Sequence, residues 1–361
     1  MTDLTNIHKP VLLHECVQLV TPALRHSGAV VVDCTLGLAG HAVAFLNAAP
    51  QARLIGIDRD EEALSMATER MRQAGLDSRF TPVHAAFDEF TDVLDGLNIA
   101  RVDAAFMDLG LSSLQIDELD RGFSYSHDSP LDMRMDTSQS FDAAQILAEY
   151  PQSELIRIFR EYGQERFSVP IARAIVRQRE KKPLKTSRQL DELVDRVVPK
   201  SHRGKGNPAK RVFQALRIEV NGELDMLKQT LPQIANHLAL NGRLVVESYH
   251  SLEDRTVKTF MAQGLRVDAP ADLPIVPADA QPFFKELTRG ALKADQAEIE
   301  HNPRSAPVRL RGVELCRELP VRWRNRFAND AREEHGGRGV QDIESSHERI
   351  RNHETEKKRR G

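Results

Sequence analysis

At 361 residues the chain has room for about two domains of ~150 residues each. With 40% hydrophobic and 29% charged residues it has the balance of a soluble globular protein. No apolar run approaches the ~18 residues that would cross a bilayer, and residues 1–8 lack the basic start and apolar stretch of an export signal. Cys16, Cys34 and Cys316 lie far apart with no CxxC pair, so neither a disulfide framework nor a metal site is expected, and a cytoplasmic, reducing setting fits. The net charge of −3 hides an asymmetry: residues 153–217 alone carry 17 Lys/Arg against 7 Asp/Glu. A basic block on an acidic body is the footprint of a polyanion partner, although a solvated helical surface would read the same on charge alone.

In chain order, 29–33 is a short apolar run of the buried-strand type, and 53–58 is a second. Residues 79–84 form a weaker third, which Pro82 should confine to a sheet edge because it cannot donate to a ladder. A fourth strand is expected at 102–108, and a fifth far downstream at 242–248. Helical patterns such as 61–74 separate the first of these, so βαβ units and a mainly parallel sheet covered on both faces follow. The gap between the fourth and fifth strands is too long for one crossover and reads as a mostly helical insertion. Within it, Thr186 and Gln189 make a capping box ahead of the apolar face Leu190, Leu193, Val194, Val197 and Val198. A long helix is expected from about Pro208, with the stripe Phe213, Leu216, Val220, Leu224, Leu227 and Leu231. The Gly-punctuated loop 199–211 between them concentrates the positive charge. The resulting division is a discontinuous domain of residues 1–115 and 206–313, a helical insertion at 116–205 that would recognise RNA, and a disordered charged tail at 314–361.

The first strand runs into Asp33-Cys-Thr-Leu-Gly-Leu-Ala-Gly-His41, whose small residues let a ligand approach the carboxyl end of the sheet. Asp58 ends the second strand 21 positions after Gly37, where an acid holds ribose hydroxyls in dinucleotide-binding folds. The glycine run alone fits an ordinary turn equally well and lacks a clean GxGxxG. Together with Asp58 and the strand end at Asp108 it favours a nucleoside-type cofactor without selecting one. Asp33 could serve only as a cap, and His41 as a donor to a nearby carbonyl.

Several longer stretches are specific. HKPVLLHE (8–15), DLGLSS (108–113) with Gln115, RGFSY (121–125), PLDMRMD (130–136) and SYHSLEDR (248–255), together with QERF (164–167), IARAI (171–175) and FQALRI (213–218), closely resemble the bacterial ribosomal RNA small subunit methyltransferase H family from about His8 to Val313. The resemblance implies an α/β, Rossmann-like class I S-adenosylmethionine-dependent methyltransferase sheet with an inserted helical domain. It implies transfer of a methyl group from S-adenosyl-L-methionine to N4 of a cytidine in the decoding centre of 16S rRNA, with that rRNA or the small ribosomal subunit as partner. Carried over by position, the cofactor contacts would be Ala39, Gly40, His41, Asp58, Phe87, Asp108 and Gln115. Leu38 and Ala39 depart from the family's run of glycines. A methyl group at 39 is compatible only if that residue keeps negative φ and makes its contact through its N–H.

The exocyclic amine of cytosine is a weak nucleophile, so an acceptor that orients it and takes up its proton is required. Asp108 or its loop is the candidate, with cofactor binding alone as the competing role. Tyr249 and His250, or Phe123 and Tyr125, could stack on an exposed base, and Lys205, Lys210 and Arg211 could grip phosphates. Action on DNA or a small molecule, or a non-catalytic RNA-binding role, are the alternatives. The oligomeric state, a homodimer included, stays open.

Overall fold

The structure, a computed structural model, describes residues 10–111, 121–123, 127–203, 207–270 and 275–333. Seven strands form one sheet in the order β3-β2-β1-β4-β5-β7-β6. β1 (Val30–Asp33), β2 (Arg53–Asp58), β3 (Phe80–His84), β4 (Val102–Asp108) and β5 (Leu238–Ser248) run parallel. β6 (Phe284–Glu286) and β7 (Arg309–Leu315) pair antiparallel, and β7 lies antiparallel to β5. β1 is buried along its whole length, which is why it reads as a continuous apolar run rather than an alternating one. Pro82 lies on β3, at the sheet edge, as its missing N–H requires. The chain winds outward from β1 to β3 and then returns to β4 on the other side of β1. The strand order therefore reverses between β1 and β4, and a crevice opens at their carboxyl ends.

Helices α1 (Leu13–Val20), α2 (Gly40–Ala48) and α3 (Glu61–Gln73) cover one face, packing Cys16, Phe45 and Met71 against Val31, Ala104 and Phe106. The short α4 (Phe90–Gly96) begins the opposite face. Five helices then form a separate apolar cluster: α5 (Ala143–Glu149), α6 (Gln152–Glu161), α7 (Ser168–Arg179), α8 (Ser187–Val197) and α9 (Lys210–Asn221). The Thr186–Gln189 capping box opens α8 as its spacing requires. α10 (Glu223–His237), α11 (Ser251–Leu265) and α13 (Val321–Glu333) complete the opposite face of the sheet, and α12 (Gln296–His301) precedes β7. No helix among the described residues is long and apolar enough to cross a membrane.

Three expectations are corrected, the third of them at Ala39 within the site. The single long helix from Pro208 is two helices broken at Gly222, which sits at φ 62° between α9 and α10. Glycine enters that left-handed region without a Cβ clash, so the apolar stripe continues while the backbone turns. As a result Phe213, Leu216 and Val220 join the helical cluster, whereas Leu227 and Leu231 pack on the sheet. Of the tail expected to be disordered over 314–361, the first part instead contributes Leu315 to β7 and the helix α13, while residues 334–361 lie outside the described residues. Leu319, Trp323 and Phe327, spaced four apart, are buried against Phe260 and Phe283. Their spacing was hidden in a composition dominated by charge. β6 and β7 were not anticipated at all.

Candidate active site

The crevice at the carboxyl ends of β1, β2 and β4 is a cavity of about 680 Å³, within the ~300–1,000 Å³ usual for small-molecule sites. Its sheet side is built by the turn after β1. Leu36 N–H donates to the Ile57 carbonyl (3.0 Å), and Gly37 N–H to Asp58 Oδ2 (2.7 Å). Asp60 N–H donates to Asp58 Oδ1 (2.9 Å), so the carboxylate shapes two loops while still lining the cavity. Arg70 of α3 donates to the Leu38 carbonyl at 3.0 Å and holds the loop from outside. Across the crevice, the Asp108 N–H donates to Thr35 Oγ1 (2.6 Å), locking the end of β4 to the same turn.

Gly40, His41, Asp58, Phe87 and Asp108 all line this cavity, so five of the expected contacts converge from four separate segments. Gln115 lies outside the described residues. Ala39 does not line the cavity: it is fully buried at φ 58°, and its N–H is committed to the Leu36 carbonyl (2.8 Å). Both conditions for a direct contact, negative φ and an available N–H, therefore fail. Ala39 serves the turn instead, as the left-handed N-cap from which α2 starts at Gly40, a residue that lines the crevice.

His41 is buried beneath Phe106, ring centroids 4.6 Å apart. Its Nε2 lies 3.0 Å from the Val11 carbonyl, which can only accept, so Nε2 carries the proton and Nδ1 faces Asp108 Oδ2 at 3.8 Å. Burial pushes the imidazole pKa down, which keeps it neutral. Burial likewise raises the Asp108 pKa above the usual carboxylate range, partly opposed by His41 and by a hydrogen bond from the Tyr249 hydroxyl. Asp33, 1% exposed, is pushed up to about 8 by the same cause, despite the Thr35 N–H it accepts.

Glu247 was not singled out from the sequence. It stands on β5 opposite Asp108 and is 0% exposed, with His41 Nε2 3.7 Å from its Oε2 and the Cys16 thiol beside it. Burial drives its pKa far upward. The signal that could have found it is a carboxylate in a strand run, 242–248, otherwise read as core.

The far wall comes from the helical cluster and its junction. Lys210, Gln214 and Arg217 of α9 line it with Tyr249 and His250. Arg217 makes a bidentate pair with Glu223 (2.8 Å to each oxygen) and approaches Glu253 at 3.9 Å. Glu253 in turn accepts the Tyr249 and His250 N–H groups at 2.7 and 3.1 Å. This network orients the loop between β5 and α11. At the opposite junction Asn221 accepts from Met135 N–H (2.9 Å) and Arg59 (2.8 Å), and donates to the Met133 carbonyl (2.8 Å). Arg121 pairs with Asp60, the cap of α3. Phe123 packs on the helical cluster, while Tyr125 and Lys205 lie outside the described residues. Arg211 donates to the Gln164 carbonyl at 3.1 Å and remains exposed.

The reversed strand order, the antiparallel β7 and a crevice ringed by acids define a Rossmann-like α/β protein of the methyltransferase kind. Comparison with known proteins narrows this: the chain belongs to the MraW methylase family, whose model matches residues 5–316. A relative from Bifidobacterium adolescentis, named Ribosomal RNA small subunit methyltransferase H, is 70% identical over 92% of this chain and 96% of its own. One of the same name from Streptomyces avermitilis is 52% identical over 86% of this chain and 98% of its own. Among solved structures, a putative rRNA-methylase from Clostridium thermocellum aligns at 13% identity and TM-score 0.40, over 85% of this chain and 99% of that one. The family read from the sequence stretches above is thus borne out.

Proposed function

We propose that the protein methylates the N4 amino group of a cytidine in the decoding centre of 16S rRNA, using S-adenosyl-L-methionine bound in the crevice between β1 and β4. The observation that carries this reading is one cavity with a carboxylate-anchored turn and acidic floor on the sheet side and Lys210 of a basic helical lobe on the other. The curated relatives' name supports rRNA of the small subunit as the substrate.

The residues present fit the cofactor. Asp58 keeps lone pairs for ribose hydroxyls beyond the two backbone N–H groups it accepts. Phe87 offers an apolar wall for a base, and the N-terminus of α2 with Gly40 offers backbone N–H groups to a carboxylate. A sulfonium, when bound, supplies an electrophilic methyl group, and the protein's contribution is placement and proton handling. Asp108, whose side chain is 30% exposed at the crevice, is the candidate acceptor for an N4 hydrogen. The Tyr249 hydroxyl donates to that carboxyl and holds it in place. Holding amine and methyl in line draws on the ~7–11 kcal/mol available from proximity.

In domain terms, the sheet with its covering helices forms the catalytic body and the helical cluster the RNA-recognition part. The packing of α9 into the helical cluster as far as Val220 supports counting that helix with the latter, beyond the expected limit at 205. The partner is the 16S rRNA or the small subunit carrying it.

The test is mass spectrometry of 16S rRNA from cells lacking the protein, with and without its return. A decoding-centre cytidine that loses its N4-methyl group and regains it on complementation is expected. Unchanged rRNA would overturn the reading. Asp108→Asn should retain cofactor binding and lose most methyl transfer. Full activity with tight binding would remove the carboxylate from the reaction.

A further inference from the structure

At and beneath the floor of the cavity the sheet holds more acid than proton transfer at N4 requires. Asp33, Asp108 and Glu247 stand near the carboxyl ends of the central strands β1, β4 and β5, with Asp108 and Glu247 in direct register, and of the three only Asp108 lines the cavity. Asp33 is 1% and Glu247 0% exposed. Among the described residues no Lys or Arg makes an ion pair with any of the three; the only basic group against them is His41, 3.8 Å from Asp108 and 3.7 Å from Glu247. The other groups facing the floor give it no positive charge. From α1 come the Cys16 thiol and, farther off, Glu15; from β2 comes Asp58. After β5 stand Tyr249 and, on α11, Glu253; on α12 stands Glu298, which accepts the Leu12 N–H at 2.7 Å. Five cations line the same cavity, and three of them are turned to other partners: Arg59 to Asn221, Arg70 to the Leu38 carbonyl and Arg217 to Glu223; the other two are Lys210 and Arg304.

Glu247 is the odd member. Like Asp33 it lies beneath the cavity rather than lining it, it anchors no loop through its side chain, and among the described residues the only side-chain hydrogen-bond donor to its carboxylate is the buried Cys16 thiol, a weak one. A carboxyl this deep, with no cation, stays protonated until a positive charge arrives nearby. The cofactor proposed for this cavity brings one on its sulfur, and its demethylated product, a neutral thioether, does not. Cofactor and product otherwise share the same amino, carboxylate and ribose groups, so the sulfur's charge is the main handle that separates them.

We propose that this acidic floor senses the charge on the cofactor's sulfur, with Glu247 as its specificity-determining residue: the sulfonium displaces a proton from the floor and is held, whereas the thioether leaves the proton in place and is released. The proton departs to solvent through Asp108, the member whose side chain reaches the crevice, and one returns by the same route after methyl transfer. Only a carboxyl O–H bond breaks and re-forms; no other covalent bond of the protein changes. The inference rests on the reading that S-adenosylmethionine occupies the crevice.

Calorimetry of the whole protein with S-adenosylmethionine and with S-adenosylhomocysteine, in buffers of different ionisation heat between about pH 6 and 9, counts the protons. Wild type should release up to about one proton more with the sulfonium, and its preference over the thioether should rise with pH, on the order of tenfold per unit at the steepest. Glu247→Gln, nearly isosteric and uncharged, should shrink the proton difference and flatten the pH dependence. Equal proton release for both ligands in wild type overturns the proposal whether or not the variant folds, as does an unchanged slope in a folded Glu247→Gln. Binding of neither ligand by folded wild type overturns instead the reading of the crevice on which it rests.

Discussion

Ala39 shows what a single residue can decide. Its methyl group is tolerated at φ 58° because the Leu36 carbonyl and the α2 backbone hold the turn on both sides. A non-glycine residue in this region costs roughly 1–2 kcal/mol. Ala39→Gly relieves that strain but loosens the unfolded chain. The net expectation is a stability gain of about 0.5–1 kcal/mol, read by denaturant titration. Asp33 makes a second argument at this scale. Its carboxyl ordinarily titrates near 3.8 and is pushed up to about 8 by burial. The folded state therefore holds a proton that the unfolded state has released, and the stability this represents is complete below about pH 4 and lost as pH rises through about 8. Unfolding midpoints of the wild type should fall across that window, and Asp33→Asn should reduce the fall.

At the scale of elements, the expected strands were legible wherever burial on both faces wrote a continuous apolar run: β1, β2 and β4 lie within a residue of where they were expected. β6 and β7 escaped because their residues are interrupted by charges. Arg311 on β7, for example, is half-hidden by its pair with Asp254 at 2.7 Å. The helix break at Gly222 escaped because an amphipathic stripe continues through a single left-handed residue. α13 was masked by the charge around it, which also hid the Leu319-Trp323-Phe327 spacing that leads into the helix. Its two aromatics close the core over Phe260 and Phe283, at ring distances of 5.2 and 5.6 Å. Phe327→Ala should destabilise the protein by about 3–5 kcal/mol in chemical denaturation, as for a fully buried aromatic. A loss under 1 kcal/mol (about that of a surface change) would mean that the helix is not part of the core.

For the whole molecule, the arrangement of charge is the main consequence of the fold. The positive excess of residues 153–217 is shared equally between helices α6 to α9 and the loops that join them, and α9 brings Lys210 to the rim of a cavity whose floor is acidic. Neutralising Lys210 and Arg211 together should weaken binding to small-subunit rRNA and reduce the salt slope of log K by about 0.7–0.9 for each phosphate no longer neutralised. An unchanged slope in filter binding would exclude both from the interface. The sequence by itself determined the α/β class, the family and most of the crevice, because apolar periodicity and long residue strings are local properties. The tertiary structure decided the rest: that Ala39 turns away from the cavity, that Glu247 lies behind His41, that the helical cluster claims α9, and that the chain beyond 314 closes the core. Each of these depends on what lies across the sheet or on a backbone angle, and contacts between residues far apart in the chain leave no periodic trace along it.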